Sequence, residues 1–451
     1  MSSTATGLEG AQHAVTGRQM ASAILASCMG WSLDLFDLFI LLYVAPVVGA
    51  AFFPSDHPTL SLAAVYASFA VTVLMRPVGS AVFGSYADAH GRKGAMTIAV
   101  VGVGVVTASF GLLPTIHQIG LAAPVLFLAL RLVQGVFVGG VVASTHTIGT
   151  ESVPPSWRGF LSGLIGGGGG GLGALLASAV YLVASSLFPG DQFAIWGWRF
   201  MFLCGIASSF LGFFVFNLLE ESPAWKAMDA KRAAARAAQG AAEVPTRTRS
   251  PLRTLFASGY RNVLLVNLLI TAGGGSAYYI TSGFMPTLLK VVSKVPNQTA
   301  SVVLMAASAC AIVASLLVGT LSDWIGRRTT FRLIGAVNLV ALPLLFLTLP
   351  GASGVQQVAL YALALCFLGN AAYAPILIFL NERFPTALRA SGTGLSWNLG
   401  FAIGGTMPTW VSLASGSPAN IPATLAVFAG LITLVFLVGS LVIPETRGRF
   451  E

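Results

Sequence analysis

Two aspartates, Asp34 and Asp37, stand three residues apart in GWSLDLFDLFI (30–40), an otherwise apolar run. On a helix that spacing puts both carboxylates on one face. Asp34 lies roughly 20 Å into its span at about 1.5 Å per residue, near the middle of a hydrocarbon layer about 30 Å thick. An ionised carboxylate there costs about 2.5–3.5 kcal/mol even on the lenient insertion scale, so it must pair, face water or carry a proton. Two carboxylates so close do not readily stay ionised together, so the pair could take up and release a proton near neutral pH. The plainer reading is that one of them only holds a basic neighbour in place.

Two arginines are equally costly. Arg76 stands in MRPVG and Arg131 in RLVQG, both within apolar spans. The planar guanidinium fork suits bidentate recognition of a carboxylate, which makes both candidates for binding an anionic substrate. Arg76 could instead brace the helix break at Pro77. Arg131 could be the lasting partner of Asp34 or Asp37, and so sense their charge. His146, toward the end of the same span as Arg131, could relay protons or simply hydrogen-bond within the packing.

The elements that must position these groups are membrane helices. The chain is 55% hydrophobic and 9% charged, against about 25% charged residues in an average soluble protein. Apolar segments of about 20 residues recur throughout, and no strand-type alternation supports an outer-membrane barrel. Net charge is +9, but its placement excludes a nucleic-acid reading. With a cytoplasmic N-terminus, nearly every Lys and Arg outside the spans falls on the cytoplasmic side, and only Arg199, Lys290 and Lys294 face out. Cys28, Cys204, Cys310 and Cys366 are scattered through apolar stretches, which predicts small buried residues with no disulfide framework and no metal site. No cofactor is expected.

Spans are expected near 21–48, 60–84, 95–115, 121–148, 160–187 and 199–219, then near 260–288, 299–321, 330–349, 355–380, 392–414 and 423–443. This predicts an all-α membrane protein of twelve helices in two six-helix bundles. The bundles would occupy 21–219 and 259–443, with cytoplasmic tails at 1–20 and 444–451 and a cytoplasmic linker at 220–258. The halves also repeat in sequence: GSYADAHGRK (84–93) matches GTLSDWIGRR (319–328), pairing Gly84, Asp88, Gly91 and Arg92 with Gly319, Asp323, Gly326 and Arg327. Glu151 and Arg158 match Glu382 and Arg389 at the same spacing. A duplicated six-helix unit is the arrangement of rocking transporters, with substrate held between the halves.

These paired loops resemble the signature of the major facilitator superfamily. Together with RLVQGVFVGG and WGWRFMF, the stretch FFPSDHPTLSLAAVYASFAVTVLMRPVGSAVFGSYADAHGRK resembles the metabolite:proton symporters, carriers of organic acids or of zwitterions such as betaines. The resemblance implies that Arg76 of Arg-Pro-x-Gly contacts substrate, that Asp34 takes the place of a family Glu, and that the loop residues gate. Two positions depart from the pattern: Val141 where an acidic residue follows Gly-Gly, and Ala89 where a basic residue follows Asp88.

Spans of the second half hold no charge away from their ends, only Asn267, Tyr278, Tyr279, Asn370, Tyr373, Trp397 and Asn398 as polar or aromatic candidates for the substrate pocket. Each could equally bridge helices. IGGGGGGLGA (165–174) lacks the Lys and Ser/Thr of a phosphate loop and reads as a surface on which helices approach and slide. The expectation is proton-coupled uptake of a small organic anion, a mono- or dicarboxylate, in the bacterial inner membrane, with no oligomer required. A zwitterion such as a betaine, or proton-driven drug efflux, is the alternative. An enzyme is excluded for want of a nucleophile, base and oxyanion set.

Overall fold

A computed structural model of the chain describes residues 17–90, 92–151, 153, 157–218, 255, 258–385 and 388–449. Among these residues it is all helix and turn. Twelve long helical elements follow in order: α1 Gly17–Phe52, α2 Pro58–His90, α3 Arg92–Leu112, α4 Ala122–Glu151, α5 Arg158–Leu187 and α6 Phe193–Val215. Then come α7 Tyr260–Val292, α8 Asn297–Ile325, α9 Arg327–Thr348, α10 Gly354–Glu382, α11 Arg389–Ser415 and α12 Ile421–Val442.

Eleven of the twelve are long and apolar enough to cross a membrane. α11 is long enough but too polar by composition, because it carries Thr393, Ser396 and Asn398, all buried inside the protein. Lipid sees the other side of it, where Leu399, Ile403 and Trp410 are exposed. Several helices outrun the expected spans. α1 continues through Pro46 to Phe52, and α6 begins at Phe193. In lipid every backbone group must bond internally, so helices persist through prolines and glycines that would end them in water. For the same reason the glycines of α5 stay helical, with a π-helical segment at Leu164–Gly168.

In the first half α2 packs on α4, α3 on α6, and α1 on α4 and α5; in the second, α7 packs on α10, α11 and α12, α8 on α10, and α9 on α12. The halves meet along two pairs, α2 with α11 and α5 with α8. Along the second pair the helices nearly touch. A Cβ at Gly163 would lie 2.7 Å from the Ser315 carbonyl oxygen, and one at Gly319 would lie 3.0 Å from the Gly159 oxygen. This is the small-residue packing that lets membrane helices approach backbone to backbone. Gly394, which follows Arg389 by five residues as Gly163 follows Arg158, has no atom within 4 Å of a Cβ position.

The linker expected at 220–258 lies outside the described residues apart from Leu255 and Ser258, as does the tail before Gly17. So do Gly91 and the side chains of Gly84, Asp88, Arg92, His146 and Glu151, five of the residues proposed for gating and the candidate proton relay.

Candidate functional site

Asp34, Asp37, Arg76 and Arg131 are all buried and line one small cavity with Leu38, Phe69, Thr72, Gln134 and Val138. α1 supplies the carboxylates, α2 Arg76 and α4 Arg131. The cavity measures about 10 Å³, on a scale where one water needs about 10–15 Å³.

Within it the charges do not pair as strong salt bridges. Arg76 Nη2 lies 3.7 Å from Asp34 Oδ2, too long for a hydrogen bond. Arg76 Nε, Arg76 Nη2 and Asp34 Oδ1 have no hydrogen-bond partner among the described residues. The neighbour of Asp34 is thus Arg76, not Arg131. Pro77, next in the chain, has no N–H to give α2, and Gly139 of α4 comes so close that a Cβ there would lie 2.1 Å from the Arg76 carbonyl oxygen.

Arg131 is held apart from both carboxylates. Its Nη1 donates to Gln134 Oε1 at 2.6 Å, and Gln134 Nε2 donates to Thr107 Oγ1 at 2.8 Å. Its guanidinium carbon sits 4.2 Å from the centroid of Phe110 and 5.1 Å from that of Phe127, a cation–π cradle. Nε and Nη2 have no hydrogen-bond partner among the described residues.

Asp37 meets Ser208 of α6, whose Oγ lies 3.0 and 3.3 Å from the two carboxylate oxygens. The same Oγ lies 2.7 Å from the Gly205 carbonyl oxygen. A hydroxyl has one proton to donate. Both contacts are served at once when the Asp37 carboxyl carries a proton and donates it to Ser208, while Ser208 donates to Gly205.

Next to the charges stands an aromatic box drawn from both halves. Trp31 of α1 meets Trp397 of α11 with centroids 5.5 Å apart, and its Nε1 donates to Tyr373 Oη of α10 at 3.3 Å. Tyr278 of α7 lies 5.0 Å from Tyr373 and 6.2 Å from Phe39; Tyr279 lies 5.4 Å from Phe69, and Trp397 stacks on Phe401 at 3.9 Å. Tyr279 and Tyr373 lie within electrostatic reach of Asp34 and Arg76. A π-helical turn at Tyr279–Gly283 interrupts α7 beside this box, the kind of local break that recurs at functional sites.

Of the other candidates, Asn370 and Asn398 are buried, each with an unpartnered side-chain oxygen among the described residues. Asn267 sits away from the box, accepting from Arg383 Nε at 3.3 Å and donating to Ser396 at 3.4 Å. Arg389 donates to the Asn381 carbonyl at 3.2 Å. Sequence reasoning missed Trp31, Gln134 and Ser208. Trp31 and Gln134 each stand three residues from a charge already singled out, one helical turn away.

The far end of the bundle is a closed charge network. Arg327 donates to Glu382 at 3.0 and 3.1 Å and to Asp323 at 2.7 Å. Asp323 in turn accepts the Phe160 backbone N–H at 3.2 Å, tying α8 to the start of α5. Gly326 turns the chain with φ 90°, and a Cβ there would lie 2.5 Å from Glu445 Oε2. Its bare backbone lets Glu445 accept the N–H groups of Arg327 and Arg328 at 2.9 and 3.0 Å, with those of Thr446 and Arg447. Partial burial works to raise the Glu445 pKa, but the four N–H donors outweigh it and hold the carboxyl below its usual range. At the opposite end Tyr66 Oη lies 2.7 Å from Thr287 Oγ1, and Tyr181 donates to Asn297 at 3.0 Å. Among the described residues, contacts between the halves thus occur at both ends.

Residues 22–450 match the family described as "Sugar (and other) transporter". The chain is 28% identical to the proline/betaine transporter of Escherichia coli (strain K12), over 96% of its own length and 85% of that protein's. It is 28% identical to the inner membrane metabolite transport protein YhjE of the same strain, over 99% of both chains. It is also 26% identical to the glycine betaine/proline/ectoine/pipecolic acid transporter OusA of Dickeya dadantii (strain 3937), over 96% and 84%. Among solved structures, the partially occluded, inward-open xylose transporter XylE from E. coli superposes with a TM-score of 0.72 at 18% identity, over 96% of this chain and 99% of that one.

Proposed function

The chain belongs to the sugar (and other) transporter family of the major facilitator superfamily, and from that premise we propose that it takes up a small zwitterion of the proline or betaine class together with a proton. A carboxylate heads the expectations from sequence alone. The aromatic box and the substrates named for the relatives reverse that order.

One observation carries this reading: a box of aromatic faces from both halves beside a loosely engaged Asp34–Arg76 pair. Aromatic faces attract cations, quaternary ammonium groups among them, by about 0.5–2 kcal/mol each. A bare organic anion would leave those faces without a cation to bind. A zwitterion matches each part, its carboxylate taking the open guanidinium fork of Arg76 and its ammonium lying on Trp31, Tyr278, Tyr373 and Trp397 near Asp34.

Proton coupling rests on Asp37 and Ser208, whose geometry fits a protonated carboxyl. With the proton bound Asp37 is neutral, and one fewer ionised group has to stay buried while the halves rock. Loss of the proton leaves a carboxylate that favours a water-exposed state. Arg131, cradled by Phe110 and Phe127, stands ready to answer the charge of Asp37. In this reading the basic ends of the helices face the cytoplasm, and the Arg327 network serves as the inner gate.

Uptake into proteoliposomes with an acidic exterior tests the reading. Accumulation of proline or glycine betaine, abolished when the pH gradient is collapsed, is the expected result. Accumulation of mono- or dicarboxylates in their place would reject it.

A further inference from the structure

A second cavity adjoins the aromatic box. It is about 10 Å³ and is lined from both halves, by Tyr43 and Gly170 on one side and by Tyr278, Ser282, Ser308 and Asn370 on the other. Two buried polar atoms there, Tyr278 Oη and Asn370 Oδ1, have no hydrogen-bond partner among the described residues. The remaining polar groups are already engaged. Tyr43 Oη bonds Ser178 and the Ala174 carbonyl, and Ser308 donates to the Leu304 carbonyl at 2.7 Å.

The Asn370 amide can be oriented only one way. Nδ2 lies 2.8 Å from the Cys366 carbonyl oxygen and 2.9 Å from Ser282 Oγ. A backbone carbonyl accepts and never donates, so the atom facing Cys366 must be the NH₂ group, and Oδ1 is left as a bare acceptor. A buried acceptor without a donor is costly, so a ligand that supplies a donor is favoured over one that does not.

We propose that Asn370 Oδ1 and Tyr278 Oη form a subsite for an N–H donor, so that the transporter prefers a zwitterion with an N–H-bearing ammonium, as in an imino acid, over a fully methylated one. This rests on the zwitterion reading above and narrows it. The aromatic faces accept both kinds of cation, whereas the two orphaned oxygens distinguish them. A methylated nitrogen presents only C–H to Asn370 and leaves its oxygen unpaired, and a pocket built to hydrogen-bond an N–H discriminates strongly against the analogue that lacks it.

The test compares proline with its N,N-dimethyl derivative, which have the same ring and carboxylate and differ only in the N–H groups. Transport is measured in proteoliposomes carrying wild type, Tyr278→Phe, Asn370→Leu or Asn370→Asp. The wild type is expected to favour proline about tenfold or more in kcat/KM. In Tyr278→Phe, which removes one hydroxyl that bonds nothing among the described residues, that ratio should fall by about 3- to 10-fold. In Asn370→Leu it should approach one, and Asn370→Asp, which keeps an acceptor, should retain it. A wild type without preference, or variants that lower both substrates equally, would overturn the subsite while leaving zwitterion transport standing. Transport of neither compound would overturn the zwitterion reading, and the subsite with it.

Discussion

Asp34 and Arg76 face each other at 3.7 Å in the buried centre of the molecule without a hydrogen bond between them. A buried pair left so loose gives up Coulomb energy that a bidentate bond would recover, so each partner keeps capacity for a third group. Arg76→Lys keeps the charge and loses the fork. It is expected to raise the KM for substrate about 10-fold or more, with protein yield and thermal stability near wild type, measured by uptake and thermal melting.

Asp37→Asn removes the carboxyl that would carry the proton against Ser208. Accumulation driven by the pH gradient should disappear, while exchange of labelled for unlabelled substrate across the membrane persists. Gradient-driven accumulation at wild-type levels would remove Asp37 from the mechanism.

Close contact of α5 with α8 is predicted to be needed for the closed state. A Cβ at Gly163 meets a backbone oxygen, Ser315 O, at 2.7 Å, and backbone cannot turn away as a side chain can. Gly163→Val should hold the halves apart at that end, raising the rate at which a cysteine placed near Asp323 reacts with a water-soluble maleimide and slowing transport about tenfold or more. An unchanged labelling rate would show that this contact does not limit closure.

Arg327 holds two carboxylates, Glu382 and Asp323, and is itself buried. Arg327→Ala leaves Glu382 buried without its cation, a loss on the order of 3–5 kcal/mol. A fall in melting temperature of several degrees is expected, and Glu382→Gln in the same background should recover part of it. If the double variant melts no higher than Arg327→Ala, the two residues are not energetically linked.

Glu445 supplies a pH dependence with a definite sign. Its carboxyl sits below its usual value in the folded protein, so the ionised form ties the chain after α12 to the start of α9, and that contribution is complete above about pH 4.5. As pH falls through the lowered folded value, the tie is lost. Limited proteolysis after Ile443 should therefore accelerate in acid, and Glu445→Gln should show the faster cleavage already at pH 7.

Much of this architecture was legible in the residues. Hydropathy and the paired loops revealed the helices and the repeat, and the cost of charge in lipid singled out Asp34, Asp37, Arg76 and Arg131. Which arginine meets which aspartate was not legible, because that depends on how α1, α2 and α4 are rotated against one another, and helices of nearly uniform hydrophobicity carry no periodic signal for rotation. Arg76 therefore faces Asp34, while Arg131 turns to Gln134 and Phe110. Of the aromatic box, Tyr278, Tyr279, Tyr373 and Trp397 stood out as pocket candidates, whereas Trp31 and Phe401 did not, because they resemble any apolar residue until the two halves are brought together. α11 was read as a span despite its polar residues, which the packed structure hides inside.

The most direct test of the central claim is electrical. A zwitterion carries no net charge, so one moved with a proton carries positive charge inward, whereas a monocarboxylate moved with one proton carries none. Proteoliposomes on a solid-supported membrane should give a transient inward current when proline or glycine betaine is added at constant pH, larger as the exterior is made more acidic. A substrate accumulated under a pH gradient without any such current would contradict the account.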